Sequence, residues 1–298
     1  MHENCFLTIL TPTYNRGVQL HQLFGSLMKQ SDRGFVWLIV DDGSKDDTEA
    51  VVKELTEKAD FNIEYIHKLN GGKHTALNVG IPLIDTPLTF IVDSDDWLTE
   101  NAVRIIRQYY RKYKSDTKIC GYSFLRQFPD GKINGNRYPS DEWVTSYLNA
   151  RINSGDDSSD KAEVFNTKCL QEFPFPEYPG ERFLGEDIVW MRMSRKYSTV
   201  HINQPIYVGD YQEDGLTTNR RKNNIQSPNG CMERAKEFMG NEVNLKVRTK
   251  ATIQYIVYGG FAGKSLTELL NETDHKLSVL IMIPAAQYIY RKWKKQYV

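Results

Sequence analysis

"TFIVDSDDWLTE", Thr89 to Glu100, drives an apolar run, Phe90-Ile91-Val92, straight into Asp93, Asp95 and Asp96. Like charges repel, and carboxylates taken out of water are costly without a counter-charge. In a strand, residues two apart share a face, about 6.6–7 Å apart at Cα. The expectation is that Asp93 and Asp95 point the same way and Ser94 the other. Two hard oxygen ligands at a strand end suit Mg2+ or Mn2+, which take their remaining ligands from water and phosphate oxygens. The competing reading is helix capping, by Asp96 or Thr99 with Glu100 in the first turn. Thr99 is read here as a cap, and the Asp93/Asp95 pair as a metal site.

Outward from this stretch, two periodicities alternate as far as about residue 125. Short β-rich runs fall at Phe6–Leu10, Phe35–Val40, Ile63–His67 and Leu88–Val92. Helical spacing fills Val18–Lys29, Thr48–Lys58 and His74–Ile84, with a further helix at Asn101–Tyr113. Strands alternating with helices predict a parallel sheet covered on both faces, with ligands beyond the carboxyl ends of the strands. Three of those ends carry "TPTYNR", "DDGSKDD" and "DSDD". "CGYSFLRQFPDGKI" then reads as a hairpin turning at Pro129-Asp130-Gly131. Arg137 to Gly185 reads as loop-rich, "GEDIVWMRMSRKY" as a helix, and Asn223 onward as mainly helical.

The chain has 298 residues, with 38 Lys+Arg against 38 Asp+Glu. Zero net charge argues against a general nucleic-acid binder. Four cysteines, Cys5, Cys120, Cys169 and Cys231, form no C-x-x-C pair, which disfavours a zinc ribbon and suits a reducing compartment. "MHENCFLTIL" lacks a basic segment followed by a long apolar one, and no apolar run reaches 18 residues. The expectation is a cytoplasmic protein with no spanning helix. Other phosphate motifs fail. "GGKHT" lacks the first glycine of a Walker A loop, His67 standing there, and no G-x-G-x-x-G follows the first strand.

With "TPTYNR", "VDDGSKDDT", "NGGKHTALNVG", "DSDDWL" and "GED" in this order, the sequence resembles the family 2 glycosyltransferases with the GT-A fold, from about Leu7 to Thr218. The resemblance implies an α/β, Rossmann-like, mainly parallel sheet flanked by helices. Residues 1–125 would be the nucleotide-sugar-binding half, 126–218 the acceptor-binding half, and 219–298 a helical C-terminal region. It implies that Thr11, Pro12 and Tyr14 line the uridine side. Asp42, with Asp41 beside it, would accept a hydrogen bond from the uracil or ribose, as an acceptor-only carboxylate does. "DDGS" also reads as a turn, with Asp46 or Asp47 capping the next helix. Lys73 would face the diphosphate or the base, with a solvated lysine at a helix start as the alternative. Asn78 would support the donor site, with Asp93 and Ser94 on its donor side and Asp93 and Asp95 as the metal ligands. In "GED", Asp187 would be the catalytic base, with Glu186 as runner-up. The plain alternative is acidic residues complementing a helix dipole.

The implied activity is metal-dependent inverting transfer of a sugar from a nucleotide-diphosphate donor to a glycan or lipid-linked acceptor. A nucleotidyltransferase and a catalytically dead binding module remain as alternatives. "YQEDGLTTNRR", Tyr211 to Arg221, is read as either a lid over the diphosphate or a surface loop. Tyr138, Trp143, Tyr178 and Trp190 are candidates to stack on acceptor sugars, although aromatics more often fill cores. The basic-aromatic end, Arg291, Lys292, Trp293, Lys294 and Lys295, is open between peripheral membrane contact and a packed terminal helix.

Overall fold

The computed structural model describes residues 5–155, 159–209 and 220–297. The chain divides into two compact units, one built from residues 1–174 and 193–211, the other from 175–192 and 212–298.

In chain order the first unit runs β1 (Leu7–Thr13), α1 (Gly17–Met28), β2 (Phe35–Asp41), α2 (Thr48–Lys58), β3 (Asn62–His67), α3 (Lys73–Gly80), β4 (Leu88–Ile91), β5 (Trp97–Leu98), α4 (Ala102–Tyr113), β6 (Ile119–Gln127), β7 (Trp143–Thr145), β8 (Ala162–Asn166) and α5 (Thr167–Gln171). After α6 (Asp187–Ser194), which starts in the second unit, the first unit closes with β9 (Ser198–Val208). The strands of the described residues form one sheet in the order β3-β2-β1-β4-β8-β6-β9-β5, with β7 also paired to β9. β1, β2, β3 and β4 are mutually parallel. β8 runs antiparallel between β4 and β6, and β9 is parallel to β6.

The β-rich runs become strands because their side chains are covered on both faces. Every residue of β1 and β2 is buried. Trp37, Phe35 and Phe90 are among the largest fully buried side chains, each contributing roughly 1.5–3 kcal/mol of hydrophobic stabilisation. α1 turns Leu20, Leu23 and Leu27 into that core, and α4 turns Val103, Ile106 and Tyr109.

Four expectations change. β4 ends at Ile91, and Asp93 to Asp96 form a turn in which the Asp96 N–H meets the Asp93 carbonyl at 3.2 Å. Strand alternation therefore does not orient Asp93 and Asp95. Thr99 caps nothing. The residue before α4 is Asn101, without a side-chain cap bond, and the Thr99 N–H donates to the Ile206 carbonyl at 3.0 Å. The expected hairpin is reduced to a tight turn at Phe128–Lys132 and a single bridge from Gln127 to Ile133. β6 instead pairs with β8 and β9, and β8 lies inside the stretch read as loop.

The second unit is helical: α7 (Arg220–Gln226), α8 (Pro228–Glu237), α9 (Leu245–Phe261), α10 (Leu266–Asn271) and α11 (Lys276–Tyr297). Ser265 and Glu268 form a reciprocal capping box at the start of α10. Among the described residues, no helix is long and apolar enough to cross a membrane. All four cysteines are free thiols.

Candidate active site

Four loops leave the carboxyl ends of β1 to β4, and side chains stitch them together. Asn15, after β1, sits at φ 50°, a left-handed value that asparagine tolerates. Its N–H donates to Ser44 Oγ at 2.8 Å and its Oδ1 accepts from the Lys45 N–H at 2.7 Å, joining "TYNR" to "DDGS". Asp46 accepts from the Thr48 N–H at 3.2 Å and the Thr48 hydroxyl at 2.5 Å, anchoring the start of α2.

Asp41 and Asp42 are both buried. Asp41 accepts from the Ser44 N–H at 2.8 Å and the Tyr65 hydroxyl at 2.7 Å. Burial and this bond raise the Tyr65 phenol above its ordinary range. Asp42 Oδ1 accepts from Lys68 Nζ at 2.7 Å and the Gly71 N–H at 2.9 Å. Its Oδ2 accepts from the Gly72 N–H at 2.7 Å and Asn70 Nδ2 at 3.1 Å. Four donors fill the lone-pair directions of one carboxylate, so Asp42 clamps the 68–72 loop. Gly72, at φ 97° and ψ 160°, adopts a backbone that a side chain would strain, and it delivers Lys73 as the first residue of α3.

Lys73 is not a solvated lysine: its Nζ lies 2.5 Å from Asp93 Oδ1. Arg16, from the β1 loop, places Nη1 2.6 Å from Asp95 Oδ2. The two acids of D-x-D therefore hold one cation each, brought from two different loops. Desolvation pushes the Asp93 carboxyl up, but Lys73, with Arg126 and Arg16 beyond it, brings it below its ordinary value.

Asp96 is buried beneath them, 2.7 Å from Arg126 Nη2 and accepting from the Tyr207 hydroxyl at 2.7 Å. That same hydroxyl accepts from the Asp93 N–H at 3.0 Å. Burial pushes Asp96 up to about 7 against the pull of Arg126, and it raises Tyr207 well above its ordinary range. The network pins the acidic turn to β6 and β9.

Thr11 is buried, and its hydroxyl accepts from Trp37 Nε1 at 2.9 Å. Pro12 and Ser94 are buried, Asn78 is half-buried and Tyr14 is exposed. Arg16, Lys68, Arg126 and Tyr207 went unread in the sequence. Arg16 stood inside a quoted motif. Tyr207 lies 111 residues from Asp96, beyond any local signal.

In the second unit, Asp187 opens α6 and receives the Arg234 guanidinium in a bidentate fork, Nε to Oδ1 at 2.5 Å and Nη2 to Oδ2. The Glu186 carbonyl accepts from the Val189 N–H at 2.9 Å within the first turn of α6. Trp190 is buried edge-on against Phe175. Within the first unit, Tyr138 is buried with its hydroxyl on Ser123, and the Tyr138 and Trp143 rings each lie tilted against His201, with centroids 4.8 and 5.7 Å away. Tyr178, half-buried in the second unit, has its phenol pushed up to about 12 by burial. Of the stretch read as a lid or surface loop, Tyr211–Asn219 lies outside the described residues, and Arg220 and Arg221 begin α7.

Acidic oxygens, clamped glycine loops and cations gather at the carboxyl ends of parallel strands, where α/β folds place their ligand sites. The chain belongs to glycosyl transferase family 2, whose sequence profile matches residues 8–159. Its fold is GT-A. It superimposes on S. aureus TarS 1-349 in complex with UDP-GlcNAc with a TM-score of 0.62 at 16% identity, covering 91% of this chain and 76% of that one. It superimposes on the mannosyltransferase PcManGT from Pyrobaculum calidifontis, in complex with GDP-Man and Mn2+, with a TM-score of 0.58 at 15% identity, covering 98% and 83%. In sequence it is 29% identical over 116 residues to glycosyltransferase GlyA of Streptococcus pneumoniae serotype 4, covering 39% of this chain and 16% of GlyA. The chain matches less than half the length of these curated relatives.

Proposed function

We propose that this protein is a metal-dependent, inverting glycosyltransferase. It moves a sugar from a nucleotide-diphosphate donor, a UDP-sugar foremost, to a hydroxyl of a glycan or lipid-linked acceptor in cell-surface polysaccharide or glycoconjugate synthesis. Residues 1–125 hold the donor and 126–218 serve the acceptor. The location is cytoplasmic, with peripheral contact at the inner face of the membrane through the C-terminal end.

One observation carries this reading: the partly exposed side chains of Asp93 and Asp95, 36% and 23% accessible, each hold a cation at the carboxyl end of a parallel strand. The donor set is hard oxygen, and its acids already stabilise positive charge, so it fits Mn2+ or Mg2+. A bound divalent ion would neutralise charge on the departing diphosphate. Arg16 and Lys73 add two fixed positive charges at the same loops and orient the phosphates. A donor N–H or O–H would reach Asp42 by displacing Lys68, whose Nζ would keep its existing bonds to Leu69 O at 2.6 Å and Thr75 Oγ1 at 2.7 Å.

The acceptor hydroxyl attacks the anomeric carbon as the bond from that carbon to the phosphate oxygen breaks. The hydroxyl proton passes to a carboxylate, and the nucleoside diphosphate leaves with the electron pair. Motif order assigns the base to Asp187, with Glu186 next. The Arg234 fork fixes the Asp187 carboxylate, and the acceptor hydroxyl would use a further lone-pair direction of the same group.

Calorimetry against a panel of sugar nucleotides, with Mn2+ or Mg2+ and then with a chelator, tests the proposal. The expected result is heat with one donor class, lost on chelation, and slow nucleotide release. No heat with any donor, unchanged by the chelator, overturns it. Binding without release on any acceptor points to a binding module, and pyrophosphate release from a nucleoside triphosphate with a sugar phosphate points to a nucleotidyltransferase.

A further inference from the structure

α11 carries two unlike faces. At 100° per residue, Leu277, Leu280, Ile281, Pro284 and Tyr288 fall on one stripe, and Arg291, Lys292 and Lys295 continue it. The apolar members face solvent: Leu277 is 71% exposed, Leu280 48%, Ile281 61% and Tyr288 69%. The opposite face is the packed one. Val279 and Ala286 are fully buried, the Tyr290 ring lies 4.8 Å from that of Phe261, and Trp293 lies 6.0 Å from Tyr258 with the Arg221 guanidinium 4.2 Å over its ring. Trp293, the aromatic residue that draws the eye in the sequence, is therefore used inside the unit.

Single exposed apolar side chains are ordinary; a row of five along one helix face is an interaction surface. Charge decides what covers it. α11 contains five basic residues, Lys276, Arg291, Lys292, Lys294 and Lys295, and no acidic one. Two copies of this face in parallel would set basic ends against each other, and in antiparallel would set them against the apolar stripe. A bilayer surface rich in anionic headgroups accommodates both halves at once: the apolar turns enter the headgroup–acyl boundary and the basic turns rest on phosphate. We infer that the Leu277–Lys295 stripe is the surface by which this protein lies on an anionic membrane, its long axis in the interface plane. This deepens the peripheral part of the proposed function and stands independently of the transfer chemistry.

The test is flotation of the full chain with phosphatidylcholine vesicles, with and without phosphatidylglycerol, at low and high salt. The protein is expected to float with anionic vesicles, less so at high salt, and to stay down with neutral ones. Leu280→Glu/Ile281→Glu should abolish flotation. Arg291→Gln/Lys292→Gln/Lys295→Gln should weaken partitioning on the order of 100-fold and flatten its salt dependence. All of these side chains are exposed, so far-UV circular dichroism and urea midpoints should match the parent, and donor calorimetry should be unchanged. The inference is overturned if the parent stays down with anionic vesicles, if neutral vesicles serve equally well, or if the double variant still floats. It is also overturned if light scattering shows a dimer that Leu280→Glu/Ile281→Glu splits, because the face then belongs to a second copy.

Discussion

At the scale of single residues, chemistry turns on which carboxylates are committed and which can be exchanged. Asp93 and Asp95 each hold one side-chain cation, which the proposed metal would replace; Asp42 keeps the Gly71 and Gly72 N–H groups even where Lys68 is exchanged, and Asp96 is committed to Arg126 and Tyr207. Asp95→Asn should weaken Mn2+ binding by at least about 10-fold, since even outer-shell changes cost that much, with little change in the urea midpoint. Asp42→Ala should instead loosen the 68–72 loop, leave the Gly71 and Gly72 N–H groups without their acceptor, and lower stability on the order of 3 kcal/mol, read as a shifted urea midpoint. Asp187→Asn should keep the calorimetric signature of the donor yet lose roughly a thousandfold in transfer. A variant that transfers at the parental rate removes Asp187 as the base.

At the scale of elements, β6 and β9 support the acidic turn through Arg126 and Tyr207, and their own packing is tight. A Cβ at Gly121 of β6 would lie 2.3 Å from the Val164 carbonyl oxygen of β8, where backbone cannot yield. Gly121→Ala should cost about 2–3 kcal/mol by overpacking, measured by chemical denaturation. His201 of β9 is buried between Tyr138 and Trp143, and burial holds its imidazole down to about 4. The folded state refuses a proton that the unfolded chain accepts at its ordinary value near 6.5. Stability from this group is therefore complete above about pH 6.5 and is lost as pH falls towards 4, about 3 kcal/mol in all. His201→Phe should flatten that segment of the stability–pH curve. The helices were legible by their period, and the parallel strands by short continuous apolar runs, the mark of strands covered on both faces. β8 was not, because "AEVFN" is five residues long and becomes a strand only when β4 and β6 flank it.

At the scale of the whole molecule, a ligand that binds only the folded chain must stabilise it. At a donor concentration about 100 times its Kd, with Mn2+ present, the gain is about 2.7 kcal/mol, visible as a higher melting temperature. A chelator should abolish it, and Asp95→Asn should reduce it.

By itself the sequence determined the alternation of strand and helix, the order of the five motifs, and the presence of acids at strand ends. The elements and their acids follow from residue chemistry within a dozen positions, and the motif order from their succession along the chain. Only the tertiary structure decided that Asp93 and Asp95 sit in a turn, each already holding a cation. Likewise, only the fold decided that Asp42 is saturated, that Arg126 and Tyr207 brace Asp96, and that Trp293 turns inward while Leu280 and Ile281 face out. Those outcomes depend on partners 20 to 111 residues away, or on which face of a helix finds a neighbour. A sequence pattern names what a side chain can bind, but burial and distance, set only by the fold, decide what it does bind.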